Sequence, residues 1–288
     1  RRGREIPTRG WPDTNRRTIH GVADPHSRRT GDNVEIAEHI TVGGPEAKRV
    51  AEAARQGGLE AVIATCPGWN RRELVRHLSE IHLWAAARVA KRTSKLWPDD
   101  ISEHTESWPD LAVFWPDDSN LIDWYLETNA NLVRALETAS PADDLPTFHP
   151  APSPLAMWAR RQAHETAVHR FDAQTATGAG SGFDPVFASD GIDEMVSGFA
   201  PRSDEFPTTT KRAIVVHAVD TDDRWHLTLA PDGITTVRGD GPADMTLAGD
   251  ASDLYLTLWN RGRDAAISVH GDRELLELWH DNKRVRWS

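Results

Sequence analysis

Apolar residues recur at helical spacing from Val34 onward: Ile36, Ile40, Ala47, Val50, Ala51 and Ala54 share one stripe. Gly43-Gly44-Pro45 interrupts that stripe and predicts two helical pieces, with Gly57-Gly58 as the stop. After the turn Cys66-Pro67-Gly68-Trp69, Asn70 and Glu73 have the spacing of a capping box. It opens a helix on which Leu74, His77, Leu78, Ile81 and Ala85 lie together. A third helix is predicted from Ser119, carrying Leu121, Trp124, Tyr125, Leu132, Val133 and Leu136. Ser153-Pro154, a good N-cap followed by proline in the first turn, opens a fourth. That helix runs through Trp158, Arg161, Glu165, Val168, His169 and Asp172 toward Gly178, and a further one is predicted over 185–199. Proline-rich stretches around 97–117 and 141–154 serve as long connections. Four principal helices joined by long crossovers predict a bundle whose core can house a ligand site.

Past residues 201–207 the pattern changes to short alternating runs. Strands are predicted at 213–219, 225–230, 234–238, 245–247 and 267–269, with Asp232-Gly233 as a hairpin turn. Two helices, 251–261 and 273–281, are interleaved. The fold class is therefore α+β multidomain: a four-helix bundle over 35–203, then a small α+β domain over 208–288. Residues 1–34 read as a disordered basic extension, since the first 33 hold eight Arg, no Lys and four acids with no apolar period. That stretch also lacks the apolar core of a signal peptide.

Composition narrows the function classes. The 288 residues carry a formal net charge of -11, which argues against nucleic-acid and anionic-membrane partners. No run of about 18 apolar residues offers a membrane span. Cys66 is the single cysteine, so an internal disulfide and a cysteine-rich metal site are excluded, and a cytoplasmic location is expected. Twelve Trp against two Tyr is an unusual balance that composition alone leaves unexplained.

The candidate chemistry lies in His164-Glu165-Thr166-Ala167-Val168-His169. Its histidines are five apart and diverge by about 140° around a helix, so they cannot share one metal. Glu165 and His169, four apart, can. His77 sits on an apolar stripe, where it is either a satisfied core residue or the third ligand. Two imidazoles and a carboxylate with one position left open suit catalytic Zn2+ or another divalent metal. Asp172, one turn beyond His169, is either the carboxylate that orients that imidazole or an exposed helix acid. His82 diverges from His77 by about 140° and reads as packing or surface. Cys66, in a turn without a nearby base, reads as a small packing residue.

Thr65-Cys66-Pro67-Gly68-Trp69, with Arg72-Glu73-Leu74-Val75-Arg76-His77-Leu78 and His82-Leu83-Trp84, resembles the opening signature of the mycothiol-dependent maleylpyruvate isomerase family. Trp158 and the run from Ala163 to Ala173 resemble its second signature, and Ser189-Asp190-Gly191-Ile192-Asp193-Glu194 its third. Leu256-Thr257-Leu258-Trp259-Asn260-Arg261 and Val269-His270-Gly271-Asp272 are similar to its C-terminal domain, with Asn260 in place of the family's glycine. The resemblance runs in order over residues 35 to 288. It implies a DinB-like metal-binding bundle followed by an α+β domain, with His77, Glu165 and His169 as metal ligands and Asp172 behind them.

The implied cofactors are Zn2+, or another divalent metal, and mycothiol. The implied reaction is cis-trans isomerisation of a maleylpyruvate-like substrate, by reversible addition of a thiolate whose pKa the metal lowers. Partners are then a small-molecule thiol and a small electrophilic substrate, with no nucleic acid, no membrane and a monomer expected. Arg261 is the expected clamp for a dicarboxylate, with Arg263 as fallback. His164 is either a general acid or base or a structural residue. A mycothiol S-transferase would use the same site. A noncatalytic metal- or ligand-binding module, suggested by a faint likeness of the C-terminal element order to sterol-carrier domains, would have no need of an open metal position.

Overall fold

The computed structural model describes residues 32–91, 115–178, 180–202 and 206–283. The expectation of a disordered extension, and Trp11, Trp97 and Trp108, fall almost wholly outside them. Among the described residues are seven α-helices and one five-stranded sheet, and none of those helices is long and apolar enough to cross a membrane.

Helices α1 (Asp32–Gly57), α2 (Arg71–Lys91), α3 (Asp118–Thr138) and α4 (Pro154–Thr175) form the bundle. The break expected at Gly43-Gly44-Pro45 does not occur, and α1 runs unbroken with Pro45 inside it. Pro45 is exposed, so its ring meets solvent, while Ala47, Val50 and Ala51 just beyond it are fully buried. Their packing outweighs the roughly 3 kcal/mol that an interior proline costs. The capping box at α2 forms as expected: Asn70 N–H donates to Glu73 Oε2 at 2.9 Å, and Glu73 N–H to Asn70 Oδ1 at 3.2 Å. At the start of α4 the Ala156 N–H donates to Ser153 Oγ at 3.1 Å.

Helix α4 is the central element. It packs on α1 and α2 and, through Val168, joins the core of the sheet. Its buried side chains include Arg161, His164, Glu165, His169, Arg170 and Asp172. So much buried charge is tolerated only where every group finds a partner, and those partners define the site below.

The sheet has the order β3-β2-β1-β4-β5, formed by β1 (Arg212–Ala218), β2 (Asp223–Ala230), β3 (Gly233–Arg238), β4 (Met245–Gly249) and β5 (Ser268–Gly271). Only β1 and β4 are parallel. Trp225, Leu227 and Leu229 alternate inward on β2 as period-2 patterning requires. Helix α5 (Pro185–Asp193) continues into a π-helical turn, Glu194–Phe199, and Ala188, Ile192, Met195 and Val196 pack into the sheet's core. Helices α6 (Ala251–Leu258) and α7 (Glu274–Asn282) complete the domain.

The helix expected to reach residue 261 ends at Leu258, because Asn260 takes a φ of 61°. Asparagine is among the few residues that enter this left-handed region readily, so it can replace glycine here. Its Nδ2 donates to the Lys283 carbonyl at 3.0 Å, which fixes the turn. Arg261 is thereby redirected from the helix axis toward α4.

Candidate metal centre

His77 is presented by α2, Glu165 and His169 by α4. His77 Nε2 lies 3.1 Å and His169 Nε2 3.5 Å from the same oxygen, Glu165 Oε1. All three side chains are buried, and their donor atoms lie within 4.8 Å of one another. The Trp69 ring flanks both imidazoles, with centroids 4.9 Å from His77 and 6.2 Å from His169.

Glu165 and His169 are held from behind. Arg161 Nη2 donates to Glu165 Oε2 at 2.7 Å, and its Nη1 bonds the buried carboxylate of Glu194. The Arg161 guanidinium lies over the Phe199 and Trp259 rings. His169 Nδ1 is 2.8 Å from Asp172 Oδ2, which directs Nε2 into the centre. Asp172 also accepts from Thr65 Oγ1 at 2.6 Å, Cys66 Sγ at 3.3 Å, Arg261 Nε at 3.0 Å and Arg261 Nη2 at 2.7 Å.

The electrostatics follow from this packing. Burial lowers the His77 pKa and keeps the ring neutral. Burial would raise the Glu165 carboxyl, but hydrogen bonds from His169 and His77 and the Arg161 charge hold it well below its ordinary value. For His169, burial disfavours the charge, yet Asp172, Cys66 and Glu165 together lift the pKa well above the ordinary imidazole value. Asp172, despite its burial, is held low by Arg261 and His169.

This donor set fits a divalent metal of borderline softness. Two imidazole nitrogens and one carboxylate oxygen converge, the outer nitrogen of His169 is fixed by a carboxylate, and three protein ligands leave a coordination position for a small molecule.

The structure thus brings His77, Glu165, His169 and Asp172 together, the last fully buried rather than exposed. The other candidates named by the sequence are each engaged by partners of their own. Arg261 reaches the site, but its guanidinium is spent on Asp172 and, through Nη1, on the Trp259 carbonyl at 2.7 Å, rather than held open as a clamp. Arg263 pairs with Asp253 at 2.7 Å on the surface. His164 is turned away from the centre, toward Asp190 and Tyr255, as the 140° divergence from His169 requires. His82 is fully buried, 3.0 Å from Thr166 Oγ1. Cys66 is more than packing: its thiol reaches Asp172 and belongs to a group with His169. The roles of Thr65 and Glu194 were missed. The only signal for them was membership of the first and third motifs, because the turn that aims Thr65 and Cys66 is not legible from spacing.

Residues 41–174 match the model of the mycothiol maleylpyruvate isomerase N-terminal domain, and residues 187–278 that of the family's C-terminal domain. A crystal structure of the mycothiol-dependent maleylpyruvate isomerase is similar over 81% of this chain and 92% of that chain, with 13% identity and a TM-score of 0.53. A histidine-to-alanine mutant of that isomerase gives the same coverages, with 11% identity and a TM-score of 0.55. At such identities these likenesses concern the fold. No curated protein matches the chain. Carrying both characteristic domains in order, the chain belongs to the mycothiol-dependent maleylpyruvate isomerase family.

Proposed function

We propose that this chain is a metal-dependent isomerase that uses mycothiol to convert a maleylpyruvate-like substrate between cis and trans forms. The observation that carries the reading is the convergence of His77 Nε2 and His169 Nε2 on Glu165 Oε1, beside Asp172 and Arg261. These three residues would hold the metal, with zinc the natural choice for the donor set. When bound, metal and thiol together supply a thiolate that can add reversibly to an activated double bond.

The protein's own part is placement. Arg161 keeps one Glu165 oxygen occupied at 2.7 Å, so Oε1 alone faces the centre. Asp172 fixes the tautomer and tilt of His169 and stabilises any positive charge on it. Trp69 covers the two imidazoles on one side and keeps water from that face. Arg261 places a positive charge beside Cys66 and Asp172, from which it would act on an anionic substrate through its field. The single cysteine and the need for a free thiol partner agree with a cytoplasmic location.

Metal analysis and turnover test this together. Purified wild-type protein should hold zinc, His169→Ala should lose the equivalent bound at the His77 centre, and maleylpyruvate should be isomerised only when mycothiol is added. Protein without metal and without thiol dependence would end the proposal. A stable thiol conjugate with an electrophile, in place of isomerisation, would assign the chain to S-transfer.

A further inference from the structure

The two histidines of the 164–169 segment serve different places. His164 is fully buried, and its Nε2 lies 2.7 Å from Asp190 Oδ2. His39, from α1, brings its Nε2 to 3.0 Å from the same oxygen. Three elements, α1, α4 and α5, so gather two imidazoles and a carboxylate whose donor atoms lie within 4.8 Å of one another. The pattern repeats that of the His77 centre, in which two Nε2 atoms also meet at one carboxylate oxygen. Even the arginines correspond. Arg161 holds Glu165, while its neighbour Arg160 bonds Asp190 Oδ2 through Nε at 2.9 Å, the Asp190 carbonyl through Nη2 at 2.6 Å, and Asp193 Oδ2 at 3.2 Å.

Hydrogen bonding around Asp190 is lopsided. Oδ2 faces His39, His164 and Arg160 at once, although a carboxylate oxygen offers about two lone-pair sites. Oδ1 takes no hydrogen bond from the described residues. A cation between the two Nε2 atoms and Oδ2 removes that crowding and leaves Oδ1 for Arg160. His164 is also braced as a metal-bound imidazole is. Its Nδ1 lies 3.0 Å from the Tyr255 hydroxyl, the outer partner that fixes ring orientation. Gly191 makes the room for this, since a Cβ there would stand 2.4 Å from the Tyr255 ring and 2.9 Å from His164 Cε1. The Asp190 side chain is 34% exposed, so water can complete a coordination shell and ions can exchange.

We propose that His39, His164 and Asp190 form a second binding site for a divalent transition metal of the zinc type. The site is independent of the His77 centre. A metal there would cross-link α1, α4 and α5 and, through Tyr255, bind the α+β domain to the bundle.

The full chain, stripped with a chelator, reloaded with Zn2+ and desalted, should retain two equivalents by elemental analysis. His39→Ala should retain one, His169→Ala one, and the double variant none. His39→Gln, which preserves a polar contact with Asp190 but supplies no imidazole, should match His39→Ala while its circular dichroism stays that of wild type. Two equivalents in both His39 variants, or a single wild-type equivalent that only His169→Ala abolishes, would overturn the second site. A single equivalent lost in His39→Ala and kept in His169→Ala would instead uphold it and remove the His77 centre.

Discussion

Arg261 grips Asp172 with two parallel donors, Nε to Oδ1 at 3.0 Å and Nη2 to Oδ2 at 2.7 Å. The pair joins the α+β domain to the helical bundle, and the same carboxylate orients His169. One side chain of the second domain is therefore separated from a proposed metal ligand by a single carboxylate.

Asp172→Asn keeps the shape but loses the charge and one acceptor. Zinc affinity should fall by about 10- to 100-fold, the usual cost of removing an outer carboxylate behind a ligating histidine. Competition with a chromophoric chelator reads this directly, and unchanged affinity would mean that Asp172 does not set the ligand geometry.

Arg261→Ala leaves Asp172 buried without its main cation. Breaking a buried pair in this way costs about 3–5 kcal/mol, which urea unfolding should register. Arg261→Lys should recover part of that stability but little of the activity, because an ammonium cannot reproduce the two-donor fork. Equal recovery of both would show that charge alone matters.

Metal uptake should release a proton. Although burial opposes it, the flanking Asp172 and Glu165 raise the His169 pKa well above its ordinary value, so the metal-free ring is charged near neutrality. The proton must leave before Nε2 can ligate, so apparent affinity should drop as pH falls below that raised pKa, toward tenfold per unit. Calorimetry in buffers of different ionisation enthalpy should count about one proton from this ring, and no release would contradict the raised pKa.

Acid should destabilise the fold through His149. Burial pushes its pKa down to about 4 from 6.5. The unfolded ring thus takes up a proton that the folded one refuses, and stability falls as pH drops from about 6.5 toward 4, by on the order of 3 kcal/mol. His82, pushed down to about 3 by burial, acts in an overlapping window. His149→Phe, packed against Phe148 and Phe199, should flatten part of the dependence in urea midpoints measured between pH 4 and 7. A slope equal to wild type would exclude His149 as a contributor.

What the sequence revealed is mostly what local spacing controls. The capping box at Asn70, the Ser153 cap and the i,i+4 pair Glu165 and His169 lie within one turn of chain each, so their geometry could be anticipated. Preferring His77 as a candidate ligand needed the family resemblance, because a histidine on an apolar stripe fits a satisfied core equally well. The continuity of α1 through Pro45 was hidden, since tertiary packing overrode a strong local breaker. The Arg261–Asp172 pair was out of reach for another reason: the partners are 89 residues apart, and the left-handed turn at Asn260 that aims the arginine is set by its contact with Lys283. The tryptophans also gain places, with Trp69 beside the imidazoles, Trp84 packed on Trp158, and Trp259 over Arg161.

Helix α4 buries an almost unbroken run of side chains from Leu155 to Ala173. Such a helix has little spare surface on which to accept change, so a library randomised along it should return few folded members. New substrate preferences would have to be sought in the walls that α4 does not supply, such as the turn around Thr65 to Trp69. Evolution of this chain can thus vary what it recognises while the residues proposed to hold the metal stay put.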